Sequence, residues 1–212
     1  MPAPVLSPEE IRVLGALIEK DMATPEYYPL SLNALVNACN QKNNRDPIVH
    51  YDDSTVTAAI DSLKKRQLST VLTGGSNRVP KFGHRASETL DLDNRELAVV
   101  CVLLLRGAQT LNEIKTRTDS LHRFDDVESV ERVLRRLAER ELAFFIDKGP
   151  GMREPRWTHL FGGAPALPQT PAERTSPPGA AHEDSLAARV ARLEGEVESL
   201  KAQFAAFRKQ FE

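Results

Sequence analysis

Arg132, Arg135, Arg136 and Arg140 stand close together in the stretch D-D-V-E-S-V-E-R-V-L-R-R-L-A-E-R-E-L that begins at Asp125. Guanidinium groups at that density can serve two kinds of chemistry. Their planar N–H forks match phosphate oxygens and the base edges of the DNA major groove. They can equally neutralise their own helix, since Glu128–Arg132 and Glu131–Arg135 have the four-residue spacing of a solvated, salt-bridged face. Lys148, Arg153 and Arg156 add positive charge downstream. A second polar cluster, Q-K-N-N-R at 41–45, offers Lys42 and Arg45 for positioning a phosphate backbone. It also reads as plain turn chemistry, because Asn favours turns and left-handed backbone. The candidate DNA contacts are therefore Lys42, Arg45, Arg132, Arg135, Arg136, Arg153 and Arg156.

No other grouping has the pattern of a reactive centre. The sequence contains no glycine-rich phosphate loop, no paired-histidine motif with a carboxylate and no serine elbow. His50, His84, His122, His159 and His182 are scattered. Cys39 and Cys101 stand alone among apolar residues, which suits buried hydrophobes better than a disulfide or a metal site. The expectation is a binding protein, not an enzyme, with no cofactor and no metal.

The elements that must carry these residues are written twice. Val56, Ile60, Leu63 and Leu68 fall on Val130, Leu134, Leu137 and Leu142 at one constant offset, and His84 falls on His159 at nearly the same one. Each copy reads as an amphipathic helix followed by two short apolar runs around a glycine turn, the signature of a helix leading into a β-hairpin. That is the second half of a winged helix-turn-helix. Upstream of the first copy, Ser7-Pro8-Glu9-Glu10 starts a helix as a capping box, and Ser31 caps another whose inner face is Leu32, Leu35, Val36 and Cys39. Asp53 or Ser54 caps the third. In the second copy, Asp93 with Glu96 and Thr110 with Glu113 open helices, Gly107 closes the first, and Asp125 or Asp126 caps the third. The helix at 97–105 is apolar nearly all round, which implies burial on two sides, against its own domain and against the first domain or a second subunit.

The fold class expected is thus mainly α with small β-hairpins (α+β): two tandem winged helix-turn-helix domains at 1–90 and 91–163. A linker at 164–184, with five prolines in 21 residues, follows. The chain then ends in a coiled-coil helix at 185–212. There Leu186, Val190, Leu193, Val197, Leu200, Phe204, Phe207 and Phe211 repeat at 4,3 spacing, with Val190, Val197, Phe204 and Phe211 at a and the others at d, the pattern of a parallel dimer, the alternative being a single amphipathic helix folded on its own body.

Charge sets a limit on this reading. Over 212 residues Lys and Arg number 28 against 30 Asp and Glu, a formal net charge of −2. Residues 1–90 carry ten basic and ten acidic groups, and 91–163 carry twelve and thirteen. Any DNA-binding surface must therefore be local. The third helix of the first domain is a poor one, showing Thr55, Ala58, Asp61, Ser62 and Lys65 behind Asp52 and Asp53. The N-terminus shows no basic segment followed by an apolar one, and no apolar run is long enough to span a bilayer, so a cytoplasmic protein without membrane contact is expected.

The motifs R-V-L-G-A-L-I-E-K at 12–20, T-P-E-Y-Y-P-L-S-L-N-A-L at 24–35, A-C-N-Q-K-N-N-R at 38–45, R-V-P-K-F-G-H-R at 78–85, L-L-L-R-G-A-Q-T at 103–110 and R-E-P-R-W-T-H-L at 153–160 resemble the YceH-like uncharacterised proteins of bacteria. The resemblance covers residues 6–163 and implies two winged-helix domains, in agreement with the repeat. It carries no established activity, cofactor or catalytic residue. The expected partners are double-stranded DNA and a second copy of the chain through the C-terminal heptads. The alternative is a winged-helix protein–protein interaction scaffold that binds no DNA.

Overall fold

The computed structural model describes residues 3–74, 77–148 and 153–163. They form a mixed α+β structure of helices and two small antiparallel hairpins. The linker and the heptad helix, with Leu186 through Phe211, lie outside the described residues.

The first half opens with α1 (Pro8–Ala23). Ser7 Oγ accepts from the Glu10 N–H, and Glu10 Oε2 accepts from the Ser7 N–H at 2.7 Å, a complete capping box with Pro8 in the first turn. A short 3-10 turn (Pro25–Tyr27) leads to α2 (Leu32–Cys39), capped by Ser31. Its core face is Leu35, Ala38 and Cys39; Leu32 and Val36, expected inside, flank that face and are only half-buried. Helix α3 (Asp53–Lys65) is capped by Asp52, not by Asp53 or Ser54. The Asp52 carboxylate accepts from the Thr55 N–H at 2.8 Å and the Ser54 hydroxyl at 2.9 Å, which starts the helix one residue earlier than its sequence suggests. Strands β1 (Ser69–Gly74) and β2 (Asn77–His84) pair antiparallel, Ser69 opposite His84.

The second half repeats the order. After α4 (Ala86–Thr89), a single turn with no counterpart in the sequence expectation, come α5 (Asn94–Arg106), α6 (Leu111–Thr118) and α7 (Val127–Glu139). Asp93, Thr110 and Asp126 cap them, the first two through full capping boxes, and Gly107 at φ 66° closes α5. Strands β3 (Ala143–Ile146) and β4 (Arg156–His159) pair antiparallel, Ala143 opposite His159. In each half a residue shortly before the second helix forms an isolated bridge to the hairpin: Leu30 to Phe82, and Gln109 to Trp157.

Helix α5 is buried from Glu96 to Leu105, and one of its sides lies on α1. The crossing is close because α1 has Gly15 there. A Cβ on Gly15 would stand 2.9 Å from Leu105 Cδ2 and 3.2 Å from Leu104 Cβ, and the Cys101 thiol reaches the Gly15 carbonyl at 3.5 Å. The buried residues of both halves thereby join in one hydrophobic cluster. Cys39 and Cys101 are inside it, and burial pushes the Cys39 thiol up to about 12 and raises Cys101 too. Among the described residues no helix is long and apolar enough to cross a membrane.

Candidate functional site

Helix α7 turns Val130, Val133, Leu134 and Leu137 into the core, which leaves Arg132, Arg135 and Arg136 on an outward strip. Arg135, with 68% of its side chain exposed, pairs with Glu131 four residues back. Arg132 donates to Ser129 Oγ at 2.7 Å and comes within only 4.0 Å of Asp126. Arg136 comes no nearer to Glu96 than 3.7 Å, and that carboxylate already faces Arg140 at 3.6 Å. The exposed pairs, Arg135–Glu131 and Arg132–Asp126, contribute about 0–1 kcal/mol, so little is forfeited when either guanidinium turns to an external anion. Asp126 is held below the usual carboxylate range chiefly by the Ser129 hydroxyl and N–H.

A cleft of about 580 Å³ opens beside the N-terminal half of α7. Arg95 enters from the first turn of α5, Arg123 from the α6–α7 loop, and Arg132 and Arg136 from α7. Phe124 and Val133 give it an apolar floor, and His122 stands edge-on to Phe124 at 4.8 Å between ring centres. Asp125 is the carboxylate in its wall. Sequence reasoning does not find Arg95 and Arg123 as site residues. They are distant in sequence from α7 or outside its period, and only the fold brings them to it.

The remaining candidates divide. Arg153 is exposed in the turn before β4, and Lys42 is exposed in the α2–α3 loop. Arg156 is partly committed to the fold, since Nη1 donates to the Ala108 carbonyl at 2.8 Å and to Glu113 Oε2 at 3.2 Å. Arg45 departs from expectation altogether. Its side chain is fully buried, Nη1 and Nη2 donate to the two oxygens of Glu19 at 2.9 and 2.7 Å, and Nε and Nη2 donate to the Ala38 carbonyl. Burial alone would raise the Glu19 carboxyl, but the Arg45 hydrogen bonds hold it below its ordinary value. Arg45 braces the α2–α3 turn and faces no solvent.

The structure also separates Lys42 from the α7 arginines. Its turn meets the C-terminal end of α5, where Arg106 donates to Asn44 Oδ1, whereas Arg136 and the cleft meet the N-terminal end at Glu96 and Arg95. The length of α5 lies between, on the order of 17 Å.

The two repeated histidines occupy the same register yet differ in company. His84 Nδ1 accepts from the Ala86 N–H, so Nε2 carries the proton and donates to Asp21 at 3.0 Å. His159 Nδ1 is buried without a hydrogen-bond partner, and burial pushes this imidazole down to about 4. Counting from the caps at Ser7 and Asp93, the position of Asp21 is taken in α5 by Gly107, which ends that helix. Neither ring has the arrangement of a general base, and among the described residues no three His, Cys, Asp or Glu are grouped to hold a metal ion.

Comparison with known proteins matches residues 6–152 to the family described as protein of unknown function, DUF480. A UPF0502 protein of Solibacter usitatus is 46% identical over 207 residues, 98% of each chain. One from Geotalea daltonii is 51% identical over 178 residues, covering 83% of this chain and 80% of its own. One from Aeromonas hydrophila is 46% identical over 204 residues, 94% of this chain and 93% of its own.

Proposed function

The chain belongs to the DUF480 family of proteins of unknown function, and we propose that it is a non-catalytic, cytoplasmic DNA-binding protein built from two tandem winged helices. The observation that carries this reading is the outward strip Arg132, Arg135 and Arg136 on α7, the third helix of its half, next to the β3–β4 hairpin with Arg153 at its edge. Third helix and hairpin are the parts a winged helix offers to a groove and the flanking backbone. The bridges Leu30–Phe82 and Gln109–Trp157 support the assignment, because each adds a third strand position to its hairpin. Arg132, Arg135 and Arg136 take phosphate or base edges, and Arg153 the neighbouring backbone. The heptads at 185–212 bring a second copy.

The test is fluorescence anisotropy of the full chain with random-sequence duplex, titrated with salt. Binding falls steeply as salt rises, and Arg135→Ala with Arg136→Ala weakens it and lowers the salt slope by about two, one for each phosphate that is no longer neutralised. Unchanged affinity in that double variant would remove α7 from the interface. A second reading, a scaffold for another protein, rests on the first hairpin. Leu72 and Val79 are 43% and 52% exposed there, and the outward side of α3 lacks a comparable arginine strip. A folded protein that binds no duplex at low salt would favour it.

A further inference from the structure

We propose that the cleft bordered by Arg95, Arg123, Arg132 and Arg136 is a binding site for the phosphate groups of a small phosphorylated molecule. The inference goes beyond DNA binding and stands without it. Four arginines from three separate elements line one concavity of about 580 Å³, a size suited to a small ligand. A convex helix strip suffices for a duplex backbone; a hollow with an apolar floor of Phe124 and Val133 suits a compact solute.

The fold does not require these cations. Counted from the helix caps, the first half has Glu9, Ala58 and Ser62 where the second has Arg95, Arg132 and Arg136, and it builds the same helices. Their present partners are replaceable. Arg95 holds Asp93 at 3.2 Å on the surface, and Arg136 and Arg132 keep the long pairings to Glu96 and Asp126. Arg123 has no ion pair among the described residues. The Ser129 hydroxyl in the wall is already held by Asp126 and Arg132, and Asp125 is the carboxylate among the lining residues, which a multiply charged anion meets with a surplus of cations. Phosphate is the fitting class because several guanidinium forks can bind its oxygens at once.

The experiment is isothermal titration calorimetry of the full-length protein with inorganic pyrophosphate, beside the duplex anisotropy assay. The variant is Arg95→Ala with Arg123→Ala, two exposed residues outside the strip assigned to DNA. The wild type binds one pyrophosphate per chain, inorganic phosphate binds more weakly, and the variant loses about tenfold or more in pyrophosphate affinity. Its melting temperature stays that of the wild type. No binding at about 10 mM, or equal binding by the variant, overturns the proposal. If pyrophosphate fails to bind while the variant loses duplex affinity, the phosphate belongs to the DNA backbone: this inference falls and the DNA reading stands. If pyrophosphate binds and duplex does not, the cleft stands and the DNA reading falls.

Discussion

At the scale of single residues, Arg45 shows how the same side chain can be placed outside by sequence and inside by structure. In Q-K-N-N-R it has only polar neighbours, the setting of a surface turn. Its partner Glu19 is 26 residues earlier, on α1, and no local spacing reveals that pair. A guanidinium with no exposed side-chain surface is tolerated there because Glu19, Ala38 and Asn44 accept from it. Arg45→Ala leaves the half-buried Glu19 carboxylate with Lys20 alone, at 3.2 Å, and should cost about 1–3 kcal/mol in urea unfolding. Lys42→Ala, three residues away and exposed, should stay within about 0.5 kcal/mol. Duplex affinity per folded molecule should be unchanged in Arg45→Ala; a variant of full stability that no longer bound duplex would return Arg45 to the interface. A related pairing follows the repeat. Glu10, of the first capping box, faces Arg66 at 3.5 Å after α3, and Glu96, of its counterpart, faces Arg140 at 3.6 Å after α7. The capping-box pattern accounts for one hydrogen bond of each carboxylate and does not show what else the group faces.

At the scale of elements, capping chemistry and hydrophobic period carry most of the fold. Ser7, Ser31, Asp93 and Thr110 cap helices where their sequence contexts say, because a cap is a local hydrogen bond between residues three apart. The apolar circumference of α5 also predicts its double burial. What the sequence conceals is the element that covers it. Gly15 inside α1 reads only as a weak point of a helix, yet a Cβ there would run into Leu104 and Leu105 of α5. The four-residue α4 and the one-residue bridges are too short to have a period. Gly15→Val should therefore destabilise the protein by about 1–3 kcal/mol, despite Val's better helix propensity, because its branches must displace Leu104 and Leu105. Thermal unfolding measures it. A neutral or raised melting temperature would mean that α1 and α5 can separate at no cost.

At the scale of the whole molecule, the described halves are interlocked and not merely adjacent. The chain before α1 crosses to the second half, where the Leu6 N–H donates to the Phe161 carbonyl at 2.6 Å and the Ala3 N–H to the Glu141 carbonyl at 3.2 Å. With α1 against α5, this leaves, among the described residues, one strong arginine strip, on α7, in a nearly neutral protein. A single strip neutralises few phosphates, so the proposed DNA reading predicts that two copies act together on one duplex. The 4,3 spacing from Leu186 to Phe211 has the sequence pattern of a parallel dimer, and under the proposed function that pairing supplies the second strip. Leu193→Asp with Leu200→Asp places charge at two d positions of the seam and should convert the protein to its 23.5 kDa monomer in sedimentation equilibrium. Because the second strip would then no longer be held at high effective concentration, duplex affinity should fall by about tenfold or more, while pyrophosphate binding at the α7 cleft, a property of one chain, should not change. A monomer that kept full duplex affinity would show that one strip suffices, and a variant that remained dimeric would move self-association away from the heptads.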